Sequence, residues 1–303
     1  MGILIFSSLV TKNYQTVEGT HNLDGNQTLS YSGNATGQIG FGETVEGTID
    51  HPRKIDIYEF KADEGDTIII RASSYSGDLF AGVRLRDSTN NILQEARSPN
   101  TAEMHLTLDH SGMHKIELFD GFDGTKTGDY CLYLERINNP GSTIYMDFGQ
   151  VLDGFISKPA QMQLYAFPAI GEGCSVIRMN CTSVDMWPGI QLYDPDGYLI
   201  AESRSFDTAE IRITFLKAGD YVALAYDEWD GTRTGSFRIG LFMDTPGDAN
   251  GDKVINGRDL IASKMTMLDM IESLMVPPGV DSNGDGSVDG LDLIAIRKII
   301  LNV

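Results

Sequence analysis

Through most of the chain, apolar and polar residues alternate over short stretches. Ile55 and Ile57, and later Ile116 and Leu118, show the period of two that places alternate side chains on one face of a β-strand. Gly, Asp, Asn and Pro separate these stretches, and none of them keeps a helical period. Many short strands with a turn about every ten residues are typical of an antiparallel β-sandwich.

This strand pattern occurs twice along the chain at a constant separation. Tyr58 recurs as Tyr165, and Phe60 recurs as Phe167 at the same separation. The turn at residues 123–125 recurs without a gap at residues 230–232. The register predicts a mostly β fold with two tandem antiparallel β-sandwich domains, jelly-roll-like in type, at 38–140 and 141–245.

The first 37 residues differ from the repeat in composition. Residues 1–10 are apolar, carry no basic segment and are too short to span a bilayer. We interpret them as the remnant of a secretion signal or a misplaced start, with an ordinary first strand as the alternative. Residues 11–37 are rich in Asn, Gly, Ser and Thr, which is typical of a linker. We therefore expect a secreted protein, and no longer apolar run predicts a membrane span.

Short motifs at residues 47–50, 56–60, 64–66, 85–87 and 128–132 of the first copy carry a family resemblance. They resemble the bacterial pre-peptidase C-terminal domain, a β-sandwich found beside secreted hydrolases. The second copy departs from the motifs, because Gln163 stands where the first copy has Asp56, and Gly173 where it has Asp66. For the second copy the resemblance therefore depends mainly on the repeat itself.

After Pro246 two segments place oxygen-bearing residues at positions 1, 3, 5, 9 and 12 of a twelve-residue loop. The first set is Asp248, Asn250, Asp252, Asn256 and Asp259, with the Val254 carbonyl at position 7. The second set is Asp281, Asn283, Asp285, Asp289 and Asp292, with the Ser287 carbonyl at position 7. Calcium takes about six to eight oxygen ligands around one point, and such loops supply them. We predict two calcium ions, with plain Asn- and Asp-rich turns as the alternative.

Each loop leads into a segment with apolar residues at helical spacing, reaching Leu274 in the first unit and Ile300 in the second. We expect two loop–helix units that bury these apolar stripes on each other, with a short second helix. An EF-hand would have a helix entering each loop and a glutamate at position 12, and this sequence has neither.

The duplicated loop–helix pattern at 246–303 resembles the type I dockerin domain, whose partner is the cohesin domain of a scaffold protein. The resemblance places the partner contacts at loop positions 10 and 11 and the next helical turn: Gly257, Arg258, Lys264, Met265, Gly290, Leu291, Arg297 and Lys298. These residues differ between the two units, so we expect one dominant binding orientation; the alternative is that they are ordinary solvated helix residues. Lys253 departs from the pattern, because position 6 favours glycine.

Charge excludes one class of partner. Acidic residues outnumber basic ones 43 to 23, and the formal charge of −20 repels phosphate backbones. Nucleic acid is therefore not an expected ligand, whereas divalent cations are. Cys131, Cys174 and Cys181 lack the spacing of a disulfide framework or a zinc site and are expected to be small buried residues.

No catalytic motif is found, so the chain is not predicted to be an enzyme by itself. His105, His110 and His114 lie close together in the sequence without metal-site spacing. Acidic residues flank the same turn in both copies: Asp120, Asp123, Asp227 and Asp230. We interpret them as exposed turn residues, with an extra calcium site as the alternative. Four aromatics are expected in the core, with a sugar-stacking platform as the alternative: Trp187, Tyr193, Tyr226 and Trp229.

Together these features predict a secreted, non-catalytic or accessory component of a cellulosome-like complex, active in polysaccharide catabolism. Its β-sandwiches would bind carbohydrate or protein. Two alternatives stay open. The chain is a fragment or divergent member of a secreted polysaccharide- or protein-degrading hydrolase, or its sandwiches are only a spacer for the dockerin.

Overall fold

A computed structural model describes residues 37–169, 173–271 and 275–303. The predicted signal remnant and linker lie outside the described residues, except for Gly37. The fold is mostly β, as the alternating pattern predicted, with two helices near the C-terminus. Among the described residues, no helix has the length and apolar content that crossing a membrane requires.

The first sandwich consists of nine strands. They are β1 (Gly37–Gln38), β2 (Glu43–Ile49), β3 (Ile55–Ala62), β4 (Thr67–Ser74), β5 (Ala81–Arg86), β6 (Ile92–Ser98), β7 (Thr101–Thr107), β8 (Gly112–Asp120) and β9 (Gly128–Arg136). One sheet has the order β1-β3-β8-β5-β6 and the other β2-β9-β4-β7. All pairings are antiparallel except β1 with β3, which is parallel.

The second sandwich repeats this topology strand for strand. Its strands are β10 (Ile144–Tyr145), β11 (Gln150–Ile156), β12 (Met162–Ala169), β13 (Cys174–Cys181), β14 (Pro188–Tyr193), β15 (Leu199–Arg204), β16 (Thr208–Thr214), β17 (Gly219–Asp227) and β18 (Gly235–Met243). The sheet orders are β10-β12-β17-β14-β15 and β11-β18-β13-β16. The repeat read from the sequence is therefore a repeat of topology as well.

Each sandwich has a core between its two sheets, and strand alternation decides which side chains enter it. On β9, Tyr130, Leu132 and Leu134 enter the core of the first sandwich. Cys131 and Tyr133 face the other way, yet both are 1% exposed. They belong to a third apolar cluster that joins the outer face of this sheet to β12, β14 and β17 of the second sandwich.

A buried arginine crosses the junction between the sandwiches. Arg71 on β4 is 4% exposed, and its Nε lies 3.2 Å from a carboxylate oxygen of Glu103. Its Nη2 donates to the carbonyl of Asp227 over 2.9 Å, and its guanidinium lies 4.7 Å from the ring centroid of Tyr226. The two sandwiches are thus joined by apolar packing and by a charged side chain.

A corresponding arginine lies at the junction between the second sandwich and the C-terminal segment. Arg178 on β13 is the counterpart of Arg71 in the repeat. Its ion pair with Glu210 has an N–O distance of 2.7 Å, and its Nη1 donates to the carbonyl of Val276 over 2.7 Å. Each sandwich therefore extends an arginine to the segment that follows it in the chain.

The C-terminal segment contains α1 (Gly257–Met267), a 3₁₀ helix (Pro278–Val280) and α2 (Gly290–Leu301). The apolar period predicted that the first helix would extend to Leu274, which lies outside the described residues. The helix ends earlier, because Asp269 adopts a left-handed φ of 53° just after it. The expectation of a short second helix is also wrong, since α2 has 12 residues and α1 has 11.

The expected burial of two apolar helical stripes on each other is only partly observed. Ile296 is fully buried, but Ile261 is 62% and Ile300 37% exposed. Ile296 packs with Ala262 of α1 and with Val280 of the 3₁₀ helix, so the contact between the helices is small and the short connection adds to it. Much of the apolar surface of both helices consequently faces solvent.

Candidate functional site

The first loop is held together by its own carboxylates. The Asp248 carboxylate accepts hydrogen bonds from the backbone N–H groups of Asp252 (3.0 Å) and Lys253 (2.8 Å). The Asp259 carboxylate accepts from those of Asn250 (3.2 Å) and Asn256 (2.7 Å). Positions 1 and 12 of the loop are both buried, at 1% and 0% exposure.

The second loop repeats this pattern, with Asp281 at the place of Asp248 and Asp292 at the place of Asp259. Asp281 accepts hydrogen bonds from the backbone of Gly284 and Gly286, both at 2.9 Å. Asp292, fully buried, accepts from the backbone of Asn283 at 3.1 Å and of Asp289 at 2.8 Å. The two segments therefore fold alike, as their equal spacing of oxygen side chains predicted.

The helices explain why positions 9 and 12 are acidic or amide residues. Asn256 and Asp289 are the N-cap residues of α1 and α2, and each forms a capping box with the aspartate three residues later. A side-chain oxygen at the N-cap satisfies free N–H groups of the first turn, and a negative charge there interacts favourably with the helix dipole. The same aspartates thus close the loop and begin the helix.

Position 6 distinguishes the two loops. Lys253 has a φ of 79° and Gly286 a φ of 86°, so both are left-handed, as the loop pattern requires. A residue with a β-carbon is strained in this region by about 1 kcal/mol. The Lys253 ammonium lies 3.5 Å from the centroid of the Phe148 ring in the second sandwich, and burial lowers its pKa.

The first loop is also packed against the second sandwich. The backbone N–H of Met243 donates to the carbonyl of Gly251 over 3.2 Å. Gly149 lies so close that a β-carbon there would meet the Asn250 carbonyl at 2.9 Å. In the second loop, by contrast, residues 283–287 are exposed. The two loops are alike internally but differ in their surroundings.

The chemistry of the donor set fits a hard divalent cation. Burial, together with the neighbouring Asp259 and Asp252 carboxylates, raises the pKa of Asp248 to about 6, against the opposing effect of the backbone hydrogen bonds. A buried carboxylate beside two others is stabilised by a nearby positive charge. All side-chain donors predicted for both loops are oxygen atoms, which calcium prefers.

The carboxylates do not form a preassembled cluster. Within the described ranges, no three side chains of His, Cys, Asp or Glu are placed to hold a metal together. Loop oxygens are instead engaged with loop amides, as when Asn250 Nδ2 donates to Asp252 over 2.8 Å and Asn283 Nδ2 to Asp285 over 2.8 Å. Asn256 Nδ2 likewise donates to the Val254 carbonyl over 3.1 Å. Calcium binding is therefore a prediction here, and it would require these side chains to turn toward the ion.

The eight predicted partner-binding residues lie on the two helices, and all are exposed: Gly257, Arg258, Lys264, Met265, Gly290, Leu291, Arg297 and Lys298. Leu291 is 56% exposed and stands beside the exposed Ile294. The faces offered by α1 and α2 carry different residues, as the sequence indicated.

His105, His110 and His114 have separate surroundings, and among the described residues they form no shared metal site. His105 bridges the sandwiches, since its ring accepts or donates a hydrogen bond of 2.8 Å with the hydroxyl of Tyr193. His114 is 1% exposed and stacks on Phe60 with ring centroids 5.5 Å apart. His110 is exposed and contacts only the neighbouring Asp109 among the partners described.

Two of the four acidic turn residues are buried, and so are two of the four candidate aromatic residues. Asp120 and Asp227 are 6% and 1% exposed, so the expectation of four exposed turn residues is wrong for these two. Asp123 and Asp230 each accept from the Thr two residues later, as turn residues do. Tyr193 and Tyr226 are buried at the junction of the sandwiches, as core residues.

Trp187 and Trp229 do come together, with ring centroids 3.8 Å apart, and the exposed Phe206 contacts Trp187 at 4.1 Å. Sequence reasoning missed the counterpart of this pair in the first sandwich, Phe80 and Phe122, with centroids 6.0 Å apart. The constant separation of the two copies relates one pair to the other, and it was the signal that could have found them.

No family model matches the chain, and no curated protein matches it. Among solved structures, the pre-peptidase C-terminal domain of a Bacillus anthracis collagenase is 12% identical, with a TM-score of 0.30, over 34% of this chain and 97% of that one. The Salmonella Typhimurium lysozyme inhibitor PliG is 16% identical, with a TM-score of 0.26, over 34% and 99%. The Clostridium perfringens ZmpB structure, an M60 catalytic domain with two CBM51 domains, is 8% identical, with a TM-score of 0.23, over 66% and 34%. The neighbours thus include a domain of the type that the sandwich motifs resemble, whereas no family model supports the dockerin resemblance.

Proposed function

We propose that this chain is a secreted, non-catalytic or accessory component of a cellulosome-like complex. Residues 246–303 would bind a scaffold cohesin as a calcium-dependent dockerin, and the sandwiches would bind carbohydrate or protein. One observation carries the proposal: the two loops share the same oxygen spacing, the same hydrogen bonds from the backbone of positions 6 and 9 and the same kind of capped helix.

The loop residues fit calcium by their chemistry. The expected ligands are the side chains at positions 1, 3, 5, 9 and 12 and the carbonyls of Val254 and Ser287. Bound calcium would supply the positive charge that offsets the carboxylates of each loop. Because Asp259 and Asp292 each close a loop and begin a helix, the state of the loop is coupled to the first turn of α1 and α2.

Exposed apolar residues on the two helices support a partner surface. Leu291 and Ile294 on α2, and Ile261 on α1, are each more than half exposed. Apolar side chains grouped on a surface with charged neighbours are typical of protein interaction sites. Arg297 and Lys298 add positive charge to α2, although the chain as a whole is acidic.

The second unit is the more accessible of the two. The first loop packs on the second sandwich through Gly251 and Lys253, while residues 283–287 of the second loop are exposed. We therefore expect cohesin to bind with one dominant orientation, through α2. Substituting Arg297 and Lys298 should weaken binding more than substituting Arg258 and Lys264, as measured by calorimetry.

The decisive experiment is a pull-down of the full chain with a panel of immobilised cohesins, with and without a chelator. We expect capture by at least one cohesin in calcium and its loss in chelator. An Asp281→Asn, Asp292→Asn variant is the matched test, with Asp269→Asn as control, because Asp269 lies outside both loops. Failure of every cohesin to bind, or binding that survives chelation, would contradict the proposal.

A further inference from the structure

Two loops at the same place in the two sandwiches are each held by a buried aspartate. Asp120 accepts hydrogen bonds from the backbone of Phe122 at 3.2 Å and of Lys126 at 3.1 Å. Asp227 accepts from the backbone of Gly231 at 3.1 Å and of Arg233 at 3.2 Å. A buried carboxylate that accepts several N–H groups fixes a loop conformation, so both loop tips are preorganised.

The first loop presents an exposed aromatic ring. Phe122 is 64% exposed and packs beside Phe80. The Lys126 ammonium lies 5.2 Å from the centroid of the Phe122 ring. The ring is thus supported on one side and leaves most of its surface in water.

The second loop repeats the arrangement with larger rings. Trp229, at the position of Phe122, is 48% exposed and packs against Trp187. The Arg233 guanidinium, at the position of Lys126, lies 4.8 Å from the centroid of the Trp229 ring. A large aromatic ring that is half exposed at a rigid loop tip presents an apolar face that a ligand can cover.

A polar cleft of about 450 Å³ is lined mainly by residues 74–80, and each of the two loops contributes to its border. Lys126 borders it from the first loop, and Asp230 and Thr232 border it from the second. Asp78 and the partly exposed Tyr75 add an acceptor and a further aromatic ring. Its size is that of a site for a small ligand or for a segment of a chain molecule.

We propose that the cleft and the two aromatic loop tips bind a neutral polysaccharide. Aromatic rings pack on the apolar faces of pyranose rings, while the carboxylates and hydroxyls of the cleft match sugar hydroxyl groups. The net charge of −20 disfavours acidic glycans. The inference rests on the ligand-binding part of the proposed function and is independent of the dockerin part.

The test uses the full chain with soluble xylan, mixed-linkage β-glucan and galactomannan, and with anionic polygalacturonate as a comparison. Affinity electrophoresis and calorimetry should show binding to at least one of the three neutral polymers and none to polygalacturonate. Trp229→Ala and Phe122→Ala should each lower the affinity about tenfold, the effect of losing one stacking contact. Tyr198→Ala, which removes a 68% exposed ring elsewhere on the second sandwich, should leave it unchanged.

Trp229→Phe separates loss of stacking from loss of folding, because it keeps an aromatic face and should retain most of the affinity. Chelation should leave polysaccharide binding intact, so failure of the dockerin and failure of this site give different results. The inference is overturned if none of the three neutral polymers binds, if Tyr198→Ala weakens binding as much as Trp229→Ala, or if the loop variants leave the affinity for polysaccharide unchanged.

Discussion

Replacing Arg71 with methionine removes a buried positive charge from the junction between the two sandwiches. The guanidinium pairs with Glu103, donates to the carbonyl of Asp227 and covers the ring of Tyr226. Methionine keeps most of the volume and can pack on the same ring, so the substitution tests mainly the charge. We expect a less stable protein in which the sandwiches are less strongly coupled.

The structure sets the size of the effect. Removing one partner of a buried ion pair costs about 3–5 kcal/mol, because the other charge is left buried. Glu103 would keep its contacts to His105 (2.8 Å) and Gln191 (3.1 Å), which places the expected loss near the lower end, about 3 kcal/mol. At about 2–4 °C per kcal/mol for a protein of this size, the midpoint of thermal unfolding should fall by roughly 6–12 °C.

Urea denaturation measures the free energy of unfolding, and scanning calorimetry measures the midpoint of thermal unfolding. The matched control is Lys115→Met, because Lys115 forms an exposed pair with Glu59 over 3.8 Å, and such pairs contribute at most about 1 kcal/mol. The reasoning fails if Arg71→Met lies within about 0.5 kcal/mol of the wild type, or if both substitutions have the same effect.

Two further predictions concern calcium and pH. The second loop should bind calcium more tightly than the first, because it has four carboxylates against three and a glycine at position 6; calorimetry should then show that Asp281→Ala removes the stronger site and Asp248→Ala the weaker. Burial opposes ionisation of Glu103, but the hydrogen bond and charge of His105 and the charge of Arg71 hold its pKa well below the usual value. A lowered folded pKa means that this stabilisation is present above the unfolded pKa of about 4.3 and is lost as the pH falls below it. The wild type should therefore lose more stability between pH 5 and 3 than Glu103→Gln, and parallel curves would exclude this role.

The sequence predicted the local structure of the strands, but it did not indicate which part of the protein packs on each face of a sheet. The apolar run at residues 68–70 lies in β4, and Ile68 and Ile70 enter the first core. The run gave no indication that Ile69, on the opposite face, packs against the second sandwich. A run without alternation is typical of a strand buried on both faces, so the pattern was informative about burial and silent about the partner.

The loops were predictable because their chemistry is local. Every hydrogen bond of Asp248 and Asp259 described for the first loop joins residues within ten positions of each other. The end of α1 was not predictable, because apolar residues continue at helical spacing through Leu268, and no glycine or proline marks the left-handed turn at Asp269. Leu268 is 60% exposed, so its apolar character did not indicate a buried position.

Lys253 combines two opposing contributions at position 6 of the first loop. Its left-handed φ of 79° costs about 1 kcal/mol, since its β-carbon crowds the backbone. Its ammonium, 3.5 Å from the centroid of the Phe148 ring, makes an exposed cation–π contact that contributes about 0.5–1 kcal/mol. The backbone strain and the cation–π contact nearly cancel in free energy. The second sandwich, through Phe148, therefore compensates for the strained residue in the first loop.

Substitutions at this position separate the strain from the ring contact. Lys253→Ala keeps the strain and loses the contact, whereas Lys253→Gly loses both, so the glycine variant should be the more stable by about 1 kcal/mol in urea denaturation without calcium. Gly286→Ala should lose a similar amount, because a β-carbon there meets no atom within 4 Å and adds only backbone strain. A double-mutant cycle with Phe148→Ala completes the argument: the ring should matter beside Lys253 and much less beside glycine, and an equal loss in both backgrounds would show that the lysine contact does not offset the strain.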